Sequence, residues 1–128
     1  MWTWWFSCGS LLSAVGIGLG AFGAHGLKKV LFDFPEKIVS FETGVRYQMY
    51  SGFAFLVIGL NSDKFTFSLK TPFILWVFGT LFFSFSIYFL ALQPVLGVSL
   101  KFLGPITPLG GLLLILGWVI ILIKYLKK

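Results

Sequence analysis

The side chains of this sequence best suited to chemistry are His25, Glu42, Arg46, Tyr47, Gln48, Ser84, Ser86, Tyr88 and Thr107. His25 is the one histidine of the chain. An imidazole changes charge near neutral pH, so paired with Glu42 it would suit a proton-sensitive transporter or channel acting as a small oligomer. The plainer role for a histidine at a helix end is a hydrogen-bonded anchor. Glu42 and Arg46 stand four apart on one helical face, where opposite charges partly offset each other. An ionisable group inside a membrane is a functional hypothesis by default, and a solvated helix start with one ion pair is its bland counterpart. The hydroxyls of Ser84, Ser86 and Tyr88 suit bonds to a neighbouring helix or back to their own. Thr107 followed by Pro108 reads as a cap and first helical residue. No nucleophile stands beside a base, so no catalytic residue is expected. Cys8 and His25 cannot supply a four-ligand zinc site, and a single cysteine makes no internal disulfide. No metal and no cofactor is implied.

The elements that must position these groups are set by composition. The chain has 128 residues, 58% hydrophobic and 11% charged, and its mean hydropathy is +0.96. A soluble domain carries roughly 25% charged residues, and could not cover so much apolar surface. The expected solvent is lipid. The net charge of +6 arises from lysines between and after apolar runs, which suits contact with anionic headgroups. No basic patch is interleaved with exposed stacking aromatics, so nucleic acid is not an expected partner. The expected partners are membrane lipids, and other membrane proteins or a second copy.

A helix needs about 20 apolar residues to cross about 30 Å of hydrocarbon. The apolar runs and their breakers predict one all-α domain over residues 1–128, a four-helix transmembrane bundle with helices at about 4–26, 39–61, 72–92 and 107–123. A cleaved secretory leader is disfavoured for the first run by the lack of Lys or Arg before it. Leu27, Val30, Leu31 and Phe34 share a face at helical spacing, which predicts a short interfacial helix between helices one and two, ended by Pro35. Glu36 then suits the first turn of helix two. Gln93-Pro94 stops helix three. Lys124, Lys127 and Lys128 close helix four in the headgroups.

Helix one carries Gly9, Ser13, Gly16, Gly20 and Gly23 on one stripe. Small residues let helix backbones approach in lipid, and Gly110, Gly111 and Gly117 of helix four are expected to supply the facing surface. Chain parity places His25, Glu42 to Gln48, Ser84 to Tyr88 and Thr107 toward one leaflet, so a site is expected on the side away from the termini. Lys64, Lys70, Lys124, Lys127 and Lys128 lie on the terminal side. Lys28, Lys29, Lys37, Arg46 and Lys101 lie on the other, together with Asp33, Glu36 and Glu42. Counting Arg46 as part of a helix, the termini are expected in the cytoplasm.

Gly20-Ala21-Phe22-Gly23-Ala24-His25-Gly26-Leu27 resembles the signature of the family called domain of unknown function 423, which includes proteins like eukaryotic transmembrane protein 256. Further pieces match in order: Thr43 through Tyr47-Gln48; Phe83-Ser84 with Ser86, Tyr88 and Leu90-Ala91-Leu92; and Thr107-Pro108-Leu109-Gly110-Gly111 with Gly117-Trp118. The resemblance covers nearly the whole chain. It implies a small four-helix inner-membrane protein in bacteria, and it implies no reaction, because the family has no established activity. Two positions depart from the pattern. Ser51 stands where many relatives have His, and Phe85 stands where they have Gly.

Overall fold

Three stretches of this chain are long and apolar enough to cross a membrane: Trp2–Val30, Lys70–Ala91 and Lys101–Lys127. They come from a computed structural model that describes residues 2–127, which are helical with no strand among them. Lys128, expected in the headgroups, lies outside the described residues. The helices are α1 (Trp2–Ala24), α2 (Gly26–Val30), α3 (Pro35–Leu60), α4 (Lys70–Thr80), α5 (Ser86–Ala91), α6 (Gln93–Leu96) and α7 (Ile106–Lys127). A π-type turn at Leu81–Phe85 joins α4 to α5 into one rod. The helix expected at 39–61 is present as α3, 26 residues long. It is not among the three apolar stretches, because Glu36, Lys37, Glu42 and Arg46 dilute its hydropathy.

Some boundaries differ from those expected, for local reasons. α3 begins at Pro35, with Glu36 in its first turn. Proline's fixed φ and missing N–H suit the first helical position, so Pro35 starts a helix as well as ending a turn. In the short helix α2, Leu27 turns inward, and so does Leu31 just after it. Both are fully buried against Phe41, Tyr88 and Ala91. Val30, Phe32 and Phe34 point outward. The four apolar residues of this segment therefore divide between core and surface instead of forming one interfacial face. α7 starts at Ile106, which places Thr107 inside the first turn.

α1 and α3 run antiparallel along a glycine seam. The buried positions of α1 are Trp5, Gly9, Gly16 and Gly23, and the partly buried Leu12 and Leu19 fall between them. This three-then-four spacing keeps one face toward a neighbour at a shallow crossing angle. Gly23 meets Phe41, Gly20 meets Val45, Gly16 meets Met49, Gly9 meets Gly52, and Trp5 meets Gly59. A Cβ at Gly9 would lie 2.7 Å from the Gly52 carbonyl oxygen, so backbone touches backbone there.

The glycines of α7 do not face α1. Gly110 lies on the π turn, where a Cβ would fall 2.7 Å from the Phe82 carbonyl carbon and 2.8 Å from the Gly79 oxygen. Gly117 lies on the Trp76 indole. The expectation that the two glycine stripes would meet is thereby corrected: α1 packs on α3, and α7 packs on the rod. Small residues mark where backbones approach, but not which backbone comes.

Two cores result. Toward the terminal end, Trp5 is packed by Phe55, Phe73 and Trp76, with ring centroids 5.2–5.3 Å apart. Toward the other end, Leu27, Leu31, Phe41, Tyr88 and Ala91 close the structure. Beyond α6, Gly97 (φ 69°) takes the left-handed conformation that ends the turn, and Gln93 Oε1 accepts the Leu100 N–H at 2.6 Å.

Gly110→Val is expected to destabilise the protein by about 2 kcal/mol or more, since backbone cannot move aside like a side chain. Gly18 has open space around it, and Gly18→Ala is expected to cause no loss. Thermal unfolding in detergent followed by circular dichroism compares the two; equal midpoints would refute the close contact of α7 with the rod.

Candidate functional site

The polar side chains that converge do so in a ladder linking separate helices. Gln48 is fully buried on α3. Its Nε2 donates to the Leu12 carbonyl of α1 at 2.8 Å, and its Oε1 accepts from the Tyr88 hydroxyl of α5 at 2.6 Å. Ser84 Oγ donates to the Gly44 carbonyl of α3 at 2.9 Å. Ser86 and Thr107 hydroxyls meet at 2.6 Å, tying α5 to α7, and Ser86 also donates to the Phe83 carbonyl at 3.0 Å.

The local sequence explains these positions. Ser84 and Tyr88 are four apart and turn toward α3, whereas Ser86 lies between them and turns toward α7. Gly44 makes room for the Tyr88 ring; a Cβ there would stand 2.7 Å from Tyr88 Cε1. Phe41 and Phe85 brace the same ring at 4.9 and 5.4 Å between centroids. Thr107 reaches across to Ser86, so the capping role expected for its hydroxyl gives way to an interhelical bond. Buried polar groups without water must find partners within the protein. Each of these does.

The other residues singled out from the sequence lie apart from the ladder. His25 sits at the break between α1 and α2 and is exposed; its backbone N–H bonds the Ala21 carbonyl. Glu42 and Arg46 face outward, and among the described residues no ion pair joins them. The structure does not turn His25 and Glu42 toward a shared interior, which a proton-sensitive transporter or channel needs. That reading is withdrawn. Tyr47 also faces outward, resting on Phe83 at 5.0 Å and on Tyr50 at 5.5 Å. Among the described residues no three His, Cys, Asp or Glu side chains gather to hold a metal.

A cavity lies apart from the ladder. It is a groove of about 390 Å³ between α3 and α7, with the rod as its floor. Tyr47, Tyr50 and Ser51 line one wall, Trp76 and Phe83 the floor, and Gly111 and Trp118 the other wall. Trp76 and Trp118 pack at 4.5 Å between ring centroids with their planes tilted by 49°. Sequence reasoning passed over Tyr50, Ser51, Trp76 and Trp118 in this role. The available signal was their spacing: Tyr47, Tyr50, Ser51 and Ala54 share one helical stripe, and so do Gly111, Leu114, Ile115 and Trp118.

Tyr88→Phe leaves Gln48 Oε1 without its donor and is expected to destabilise the protein by about 1–2 kcal/mol. Gln48→Leu is expected to lose a similar amount. The double variant should lose less than the two single losses together, with a coupling of about 0.5 kcal/mol or more. Unfolding of the four proteins in one detergent measures this, and strict additivity would break the ladder into unconnected bonds.

Comparison with known proteins matches this chain to membrane proteins. The family described as "Protein of unknown function (DUF423)" matches residues 19–111. A UPF0382 membrane protein of Staphylococcus epidermidis is 44% identical over 119 residues, covering 93% of this chain and 92% of the relative. The UPF0382 membrane protein SH2409 of Staphylococcus haemolyticus is 41% identical over 119 residues, with the same shares covered. The UPF0382 membrane protein YwdK of Bacillus subtilis is 35% identical over 122 residues, covering 93% of each chain. No solved structure matches the chain.

Proposed function

This chain belongs to the DUF423 family of membrane proteins, and on that premise we propose that it is a structural or accessory protein of the plasma (inner) membrane that crosses the bilayer four times. The observation that carries this reading is the destination of the interior hydrogen bonds. Gln48, Tyr88, Ser84, Ser86 and Thr107 each bond a different helix from their own, so their chemistry is used in assembly. The groove lies between α3 and α7, as a lipid-level docking face would. Lipids, and through them other membrane proteins or a second copy, are its partners.

The fourth crossing is α3. Its antiparallel register on α1 sets its depth. Phe41 lies beside Gly23, at the end of α1, so Glu42 stands near the membrane boundary and Arg46 one turn further in. The arginine stem is long enough to carry its guanidinium back to the headgroups. A charge near the interface costs far less than one at the bilayer centre. At about 1.5 Å per residue the 26 residues of α3 reach about 39 Å, enough to cross. With Arg46 inside α3, the sequence puts five lysines on the terminal side (Lys64, Lys70, Lys124, Lys127 and Lys128) against four on the other (Lys28, Lys29, Lys37 and Lys101), which favours the terminal side as the cytoplasmic one.

In a Cys8→Ala background, Phe32→Cys and Ser62→Cys are expected to label with a membrane-impermeant thiol reagent from opposite faces of the membrane. The Ser62 position is expected to react only in inverted vesicles. Labelling of both from one face would remove the α3 crossing. Ser62 reacting in intact cells would reverse the orientation.

A further inference from the structure

The groove between α3 and α7 holds three hydroxyls that the fold leaves without partners. Tyr47, Tyr50 and Ser51 make no hydrogen bond to any described residue, although their neighbour Gln48 is bonded from both ends. Their depth follows from the helix pairing. Gly52 lies against Ser13 and the Gly9 carbonyl, and Ser13 is at the middle of α1 (Trp2–Ala24). The floor residues Trp76 and Phe83 flank the middle of the Lys70–Ala91 rod, and Leu114 and Ile115 lie near the middle of α7. The groove is therefore centred near mid-depth, with Tyr47 at its edge toward the start of α3. This placement rests on the proposed crossing of α3.

At the depth of Tyr50 and Ser51, beside Gly52, a hydroxyl has neither water nor phosphate to bond, and an unpartnered donor in hydrocarbon is costly; Tyr47 lies one turn nearer the boundary. A phospholipid tail could fill the space but has no acceptor to offer. The remaining walls are apolar and aromatic: Phe83 braces Tyr47, and the tilted Trp76–Trp118 pair closes one end. A volume of about 390 Å³ lies within the roughly 300–1,000 Å³ typical of small-molecule sites. Such sites are mostly apolar and carry a few polar groups that orient the ligand.

We propose that this groove binds the ring of an isoprenoid quinone, with the ring carbonyls accepting from Tyr47, Tyr50 and Ser51 and the ring lying against Phe83 and Trp118. Such a molecule combines a flat ring, strong acceptors and a tail that keeps it within hydrocarbon. The ring would meet the aromatic floor in offset or edge contacts, as aromatic pairs prefer. The proposal concerns binding alone, with no electron transfer assigned to the protein.

The geometry supplies its own controls. Gly111 faces the groove, and a Cβ there would make ordinary contact with the Phe83 ring at 3.5 Å. Gly111→Leu should therefore fill the groove while leaving the contact of α7 with the rod intact. Tyr47→Phe, Tyr50→Phe and Ser51→Ala remove the donors and keep most of the shape.

The test places the full chain in nanodiscs of saturated phosphatidylcholine and titrates decylubiquinone against tryptophan fluorescence, with 1-decanol as a probe that has the tail and no ring. The expected result is saturable quenching by the quinone and none by decanol. Gly111→Leu should abolish the saturable part, and the triple hydroxyl variant should weaken it about tenfold or more. Linear quenching identical in wild type and Gly111→Leu would overturn the proposal. So would a disulfide between copies forming at Trp118→Cys in a Cys8→Ala background, because a second copy would then occupy the groove. Ser51→Cys in the same background separates the two readings. If it reacts with an impermeant thiol reagent, the mid-depth placement and the α3 crossing fail together; if it stays unreactive and quenching is linear, only the quinone site fails.

Discussion

The fully buried Gln48 carboxamide has to find both a donor and an acceptor inside the protein, because the apolar side chains around it offer neither. It finds them on two different helices, the Leu12 carbonyl and the Tyr88 hydroxyl, at 2.8 and 2.6 Å. Such short bonds fix the relative heights of α1, α3 and the Lys70–Ala91 rod. Sliding any of them by one residue would leave a buried polar group unpaired. The bonds also need close backbones, and glycines provide that closeness. Gly9 and Gly52 let α1 touch α3, and Gly44 admits the Tyr88 ring between α3 and α5. The glycine seams and the polar ladder are two aspects of one constraint: in lipid, helices gain from close packing and satisfied hydrogen bonds, not from hiding apolar surface from water.

α7 joins this assembly by a separate attachment. It meets the rod through Gly110 at the π turn, through Gly117 on the Trp76 indole, and through the Thr107–Ser86 hydroxyl pair. π turns occur often at functional positions in helices. Here the turn presents the backbone of Phe82–Phe83 to α7 while Ser84 reaches α3. Because α3 and α7 both lean on the rod and not on each other, a gap is left between them. The groove is thus a consequence of how α7 is attached, and its aromatic floor is formed by the half-buried Phe83 and the fully buried Trp76 of the rod. Trp76 serves both core and groove: it packs on Trp5 at 5.3 Å and on Trp118 at 4.5 Å.

The charged residues are placed with similar economy. Lys28, Lys29, Lys37 and Lys101 gather around the ends of the helices at one side, and Lys64, Lys70, Lys124 and Lys127 at the other. Lys124 also lies over the Phe67 ring at 5.9 Å, which holds the connection after α3 against the last turn of α7. Cations at a helix C-terminus are favoured by its dipole. Glu42 and Arg46 face out near the start of α3, and they keep that helix less apolar than its neighbours.

Much of this was legible in the residues. The length and spacing of apolar runs determined an all-helical membrane protein, because hydrocarbon thickness dictates the length of a crossing and unpaired backbone is intolerable there. Pro, Gly and charged residues marked most breaks, and the string from Gly20 to Leu27 pointed to the family. What the sequence left open were matters of partnership. A glycine stripe shows that a backbone approaches without saying which, so the stripes of α1 and α7 were matched to each other instead of to α3 and the rod. Spacing placed Glu42 and Arg46 on one face without saying whether that face was inward, and only the register of α3 on α1 decided it. Tyr47 looked equivalent to Gln48 beside it in the chain, yet a rotation of about 100° per residue buries one and leaves the other lining a groove. Local periodicity is a property of one helix, whereas depth, facing and cavities belong to pairs of helices and exist only once tertiary contacts have set their relative heights and rotations.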